Sequence, residues 1–359
     1  MSYELGEAKN DMKSSRFTTV SLLALFACVL AVAGSIVRAA GSRPGASGYH
    51  LVKSLPVGGE GGWDYLIVDP DGRRLYFSHA TKVVVFDADS GAQVGEIPDT
   101  QGVHGIALAP DLGRGFTSNG RANTVTVFDL KTLKVVGSVK TGTNPDAILY
   151  DVVTKRVFAF NGRSKDATVI NAADGSVLGT IAVGGKPEFA VADGKGSVYV
   201  NVEDTSEILH IDAQKMTVLH RWPLAPCKEP SGLAMDLKSR RLFAVCDNEM
   251  MAVVDADSGK VVATPKTGEG ADAAAFDPGT NYAFSSNGES GTLTVIHEDA
   301  PDKYSVVDNV ATKKSARTMA LDLKTHNIFL PAADMIPPSA GQKWPSPKPG
   351  TLALLLLSK

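Results

Sequence analysis

A four-residue phrase led by an aromatic residue recurs seven times along the chain. It reads Tyr76-Phe77-Ser78-His79, Phe116-Thr117-Ser118-Asn119, Phe158-Ala159-Phe160-Asn161 and Tyr199-Val200-Asn201-Val202. It continues as Phe243-Ala244-Val245-Cys246, Phe284-Ser285-Ser286-Asn287 and Phe329-Leu330-Pro331-Ala332. The leading aromatics are spaced by 40, 42, 41, 44, 41 and 45 residues. A period in the low forties, made of short apolar runs and glycine-rich turns, is that of propeller blades. The expected fold is all-β: seven blades of four antiparallel strands.

The second repeat shows how one unit forms. Ile106–Ala109, Gly115–Ser118, Thr124–Phe128 and Lys134–Val139 are short apolar or alternating runs, separated by turn residues such as Pro110-Asp111-Leu112-Gly113. A four-stranded sheet of this size cannot bury both faces alone, so blades must stack around an axis. The last repeat stops after a third strand in Thr351–Leu357, one strand short. Leu51–Val57, followed by Gly58-Gly59, matches Ser176–Val183 followed by Gly184-Gly185. Pairing the two ends would supply the missing strand and hide an open edge. The organisation expected is 1–39 as a signal peptide or anchor, 40–49 as linker and 50–357 as propeller.

The phrase aromatic-x-[Ser/Thr]-Asn, strand-turn runs such as Val125-Thr126-Val127-Phe128-Asp129, and the Pro145-Asp146 link resemble the YVTN-repeat, YncE-like propellers of exported bacterial proteins. The resemblance covers residues 50–357. It implies the seven-bladed fold and says little about chemistry, because related propellers include lyases, lactonases and binding scaffolds.

The N-terminus predicts export. Arg16 precedes the uncharged run Phe17–Val37, centred on Leu22–Leu30, and Val37-Arg38-Ala39 offers a small-residue cleavage site. Met12 would give a more basic start than Met1, whose first residues include Glu4, Glu7 and Asp11. The run is also long enough for an uncleaved inner-membrane anchor, the only membrane contact expected. A periplasmic or secreted location leaves Cys227 and Cys246 as a candidate disulfide. The net charge of −3 provides no basic footprint for nucleic acid. A monomer is expected.

Aligning the blades yields a column at the mouth of each inner strand: Asp64, His104, Asp146, Glu188, Ser231, Asp272 and Arg317. These positions converge on the axis at the face of the outer-to-inner loops. The second strands end on that face too, which adds His79, Asn119, Asn161 and Asn287 as candidate ligand-binding residues. Asp64, His79, His104 and Glu188 form the candidate set for a divalent cation or an acid–base pair. With only Arg317 to offset four carboxylates, some are expected to have raised pKa values. The alternative is structural, since polar residues at strand mouths also cap backbone groups.

Between Leu330 and Thr351 the seventh blade carries a proline-rich insertion containing Met335, Ile336 and Trp344, a candidate lid or partner-binding arm. A second column, Asp87, Asp129, Asn171, Asp212 and Asp255, opens the turn to each outer strand and suits Asx capping. Phosphate loops, paired-cysteine metal sites, haem sites and nucleophile elbows are missing. Three functions stay open: a binding or scaffold propeller for an unidentified ligand or envelope protein; a metal-assisted lyase or lactonase; and an envelope-anchored structural protein.

Overall fold

The computed structural model describes residues 46–338 and 345–359. The export segment and Trp344 lie outside them. Seven four-stranded antiparallel sheets form a ring, each made of strands consecutive in the chain except the last. The first blade is typical, with Trp63–Asp69 at the axis, then Arg74–His79, Lys82–Asp87 and Gln93–Ile97 at the rim. The helical content described is two 3-10 turns, Pro110–Leu112 and Glu203–Thr205. Among the described residues no helix is long and apolar enough to cross a membrane.

The aromatic column explains the stacking. Tyr76, Phe116, Phe158, Tyr199, Phe243 and Phe284 are fully buried, and Phe329 is nearly so. Phe158 and Phe160 pack with Val198, Val200 and Leu209 of the next blade, so the core lies between sheets. Each such ring contributes about 1.5–3 kcal/mol by leaving water.

The seventh blade is composite. Ala320–Asp322, Asn327–Ala332 and Ala353–Ser358 are completed at the rim by His50–Pro56, which runs antiparallel to the C-terminal strand. The entering chain is fixed on the face opposite the candidate site. Ser47 Oγ donates to Asp308 at 2.7 Å, and the Tyr49 hydroxyl donates to the His326 carbonyl at 2.9 Å. Tyr49 meets Phe284 edge-on, with centroids 5.3 Å apart.

That opposite face is held by ion pairs between turns of adjacent blades, Arg73–Asp322 at 2.8 Å, Arg240–Asp193 at 3.5 Å and Lys155–Asp111, and by a His326–Asp277 hydrogen bond at 2.8 Å. The aspartates opening the outer-strand turns cap amides there. Asp87 accepts from the Ser90 amide at 2.7 Å and Asp255 from that of Ser258 at 2.8 Å. Cys227 and Cys246 are bonded, S–S 2.03 Å, and both are buried within the fifth blade.

The sixth blade departs from the common length. Its outer hairpin, Thr292–Ala300 with Lys303–Ala311, has nine-residue strands. The tip reaches the fifth blade, where Arg241 pairs with Asp302 at 2.8 Å.

Candidate functional site

Six of the inner strands carry a register break at their second residue, for example between Trp63 and Leu66, Val103 and Ile106, and Pro187 and Ala190. A break of this kind bends the strand and re-aims the side chains within it. Asp64, His104, Asp146, Glu188, Ser231 and Asp272 all occupy that second position. Arg317 fills the equivalent place ahead of Ala320–Asp322.

The carbonyls freed by the breaks are capped from the neighbouring blade. Thr318 Oγ1 donates to the Asp64 carbonyl at 2.7 Å, Asn201 Nδ2 to Ser231 at 2.8 Å, and Ser231 Oγ to Asp272 at 3.1 Å. Ser118 and Ser286 do the same for Asp146 and Arg317. Of the ring residues, Ser231 and Arg317 cap backbone carbonyls themselves, whereas that task is left to neighbours by the charged side chains of Asp64, His104, Asp146, Glu188 and Asp272.

They form a charge network. His104 Nδ1 lies 2.6 Å from Asp64 Oδ2 and 3.7 Å from Asp146 Oδ1. Arg317 reaches Asp64 Oδ1 at 3.2 Å, the Trp63 carbonyl at 3.1 Å, and Asp272. Across the ring Lys186 Nζ lies 2.6 Å from Glu188 Oε1 and also pairs with Glu203.

Burial works against the Asp64 carboxylate, yet Arg317 and His104 hold it below the usual range. Burial likewise disfavours a charged His104. The Asp64 hydrogen bond and the charges of Asp146 and Asp64 outweigh that and raise it to about 9, so the ring carries an imidazolium at neutral pH. Asp146 is pushed up by burial and by Asp64, against the pull of His104. Glu188 is pushed up by burial, Asp146 and its bond to Glu203. The expectation that Arg317 alone offsets the carboxylates is therefore corrected: His104 and Lys186 share the task.

One residue deeper along each strand lie Tyr65, Gly105, Ala147, Phe189, Gly232, Ala273 and Thr318. Five of these are small, and the two aromatics stand on blades one and four. Their rings meet across the axis with centroids 5.3 Å apart and form an aromatic floor beneath the charged ring. Elsewhere the strands crowd inward: a Cβ on Gly232 would lie 2.5 Å from the Ala274 amide nitrogen. Burial and the charges of Asp146, Glu188, Asp64 and Asp272 raise the Tyr65 phenol well above its ordinary pKa.

Sequence reasoning missed Tyr65, Phe189, Lys186 and Glu203. The first two had a signal, as the large members of an otherwise small column.

Not every expected residue joins this funnel. Asn119, Asn161 and Asn287 are fully buried and bonded within their own blades. Asn119 Nδ2 donates to Thr126 at 2.8 Å, Asn161 to Thr168 at 3.0 Å, and Asn287 to Thr294 at 2.9 Å. They are hairpin clips, corrected from candidate ligands because strand alternation turns them into the sheet.

His79 stacks on Phe77 with centroids 6.0 Å apart and lines a cavity of about 250 Å³ with Gly59, Glu60 and Lys82. Burial and Lys82 lower its pKa. The described group able to hold a cation is instead Asp64, His104 and Asp146, whose donor atoms lie within 4.8 Å of one another. Another cavity, of about 380 Å³, surrounds His210 and Asp212 away from the ring.

The seventh-blade insertion stands on the funnel face. Met335–Ile336 pairs with Ser346–Pro347, both Met335 and Ile336 are exposed, and Lys313 holds Asp334 at 2.7 Å.

Comparison with known structures agrees on the fold. The chain is similar to a structure of Kuenenia stuttgartiensis hydrazine synthase, with TM-score 0.66 and 15% identity over 76% of this chain and 92% of that one. It is also similar to U3-55K, with TM-score 0.71 and 10% identity over 87% and 99%. The RRP9 WD40 repeats match with TM-score 0.72 and 10% identity over 88% and 99%. At such identities the likeness shows the fold alone. No family model and no curated protein matches the chain. The protein is a seven-bladed β-propeller, a fold that commonly serves as a scaffold for binding partners.

Proposed function

We propose that this protein is an exported propeller of the YVTN-repeat kind that binds a small polar ligand in the axial funnel. The observation that carries the reading is the ring of charged side chains over the Tyr65–Phe189 aromatic floor. Cofactor and ligand sites combine a few convergent polar groups with apolar and aromatic walls, and this ring supplies both. The exposed Met335 and Ile336 on the same face add an apolar contact for a protein partner. Export is supported by the N-terminal basic-apolar-small pattern and by the Cys227–Cys246 bond.

The test is a thermal-shift screen of wild-type protein against Phe189→Ala and Glu188→Gln. A ligand that binds the folded state raises Tm by mass action, and both variants should lose that rise. Ligands that stabilise the variants as well as wild type would sink the funnel reading. Fractionation with N-terminal sequencing tests export, since cleavage after Ala39 is expected.

A second reading, a metal-assisted enzyme, is favoured by the Asp64–His104–Asp146 grouping. A divalent cation there would have to displace the proton that His104 shares with Asp64. Binding of calcium, magnesium, manganese or zinc with proton release would support it.

A further inference from the structure

We propose that the ligand of this funnel is an organic ammonium ion, seated on the Tyr65–Phe189 floor against Asp146. The inference deepens the binding reading and rests on it.

The ring's three cations are already committed. His104 is bound to Asp64, Arg317 spans Asp64 and Asp272, and Lys186 joins Glu188 and Glu203. Asp146 differs. Among the described residues its carboxylate accepts no hydrogen bond, and its nearest cation is His104 Nδ1 at 3.7 Å, beyond bonding range. Its side chain is only 15% exposed. A carboxylate so placed loses hydration without regaining donors, which costs free energy until a donor arrives.

The neighbouring groups select the donor. Two aromatic rings stand one residue below the carboxylates, and the face of an aromatic ring attracts a cation within about 6 Å of its centroid. Asp146 stands directly above this layer, where its own strand contributes only the small Ala147 and leaves the two rings as the large groups beneath it. An anionic ligand would meet four carboxylates around the phenol. A metal ion would break the His104–Asp64 bond, whereas an alkylammonium brings its own N–H or polarised C–H groups and leaves that bond intact.

Calorimetric titration of the purified protein would use choline and butylammonium, with neutral 3,3-dimethylbutanol, acetate and magnesium as comparisons. The ammonium probes should bind at least tenfold more tightly than the neutral isostere. Asp146→Asn should weaken them by about 10- to 100-fold, the range for a charge-assisted hydrogen bond, with the melting transition retained. Tyr65→Leu should weaken them too, and Tyr65→Phe should not. Equal affinity for choline and dimethylbutanol, or tighter acetate binding, would overturn the ammonium assignment while leaving a funnel ligand site. Magnesium binding in place of both amines would overturn it in favour of the metal reading. If none of these probes binds, the ammonium assignment falls. If the Phe189-sensitive stabilisation is missing as well, the binding reading falls with it.

Discussion

His104 should make the propeller lose stability as the pH rises. Its ring belongs to two carboxylates in the folded chain and to water in the unfolded one, which moves its pKa from 6.5 to about 9. A group whose folded pKa is raised contributes stability that is complete below the unfolded pKa and lost as pH rises through the folded one. The window is therefore pH 6.5 to 9. At about 1.36 kcal/mol per pKa unit, the ceiling is roughly 3.4 kcal/mol. The side chain is 29% exposed at the mouth of an open funnel, so screening brings the expected loss to about 1–2 kcal/mol. With a melting entropy of about 2.1 cal/mol/K per residue over roughly 300 ordered residues, Tm should fall by about 2–3 °C across that window. Differential scanning calorimetry from pH 6 to 9.5 reads this directly. His104→Gln keeps an N–H for Asp64 but cannot titrate, so its Tm should decline less steeply than that of the wild type, the remaining slope coming from the raised Glu188 carboxyl present in both proteins. An identical decline in the two proteins would show that the imidazolium is not held by this ring.

Three further outcomes follow from the geometry. Deleting residues 46–57 removes the rim strand of the seventh blade and Tyr49; circular dichroism should show no cooperative transition, and a normal melt would refute closure by this strand. Exported protein should contain Cys227 and Cys246 oxidised, and reduction should cost up to about 3 kcal/mol from the 19-residue separation; two free thiols by mass spectrometry would exclude this. Asn119→Ala orphans Thr117, Thr124 and Thr126 and should lower stability by about 2–3 kcal/mol without changing funnel binding; altered ligand affinity at unchanged stability would return Asn119 to the site.

The period of the aromatic column was enough to expose the blades, because each Tyr or Phe occupies the same inter-blade position. The ring column was equally legible, since a residue at the mouth of every inner strand has only the axis to face. The Asn column was misjudged for a reason of direction. Asn119 ends on the correct face of the molecule, but its side chain turns into the hairpin, where Thr124 and Thr126 wait. Lys186 and Glu203 were invisible because the loop positions they fill carry no charge in most other blades, Asn144 with Gly162 in the third and Gly270 with Gly288 in the sixth. His79 shows a similar limit: strand alignment places its backbone beside Trp63, while its ring lies against Gly59 and lines a separate cavity.

The joined ends of the seventh blade also fix an orientation. His50–Pro56 climbs toward the funnel face and Ala353–Ser358 descends from it, so both described ends of the propeller leave from the opposite side. They are close enough that a Cβ on Gly48 would sit 3.8 Å from Lys359 Cγ. A tether at either end would therefore hold the molecule like a cup by its base, with the funnel and the Met335–Ile336 hairpin turned toward the surrounding medium. Immobilisation through a terminal tag leaves the ligand face open. Linking the two ends and reopening the chain at another third-to-outer strand turn on the same side, such as Ala173–Gly175, should give a permuted propeller with its ring of charges undisturbed.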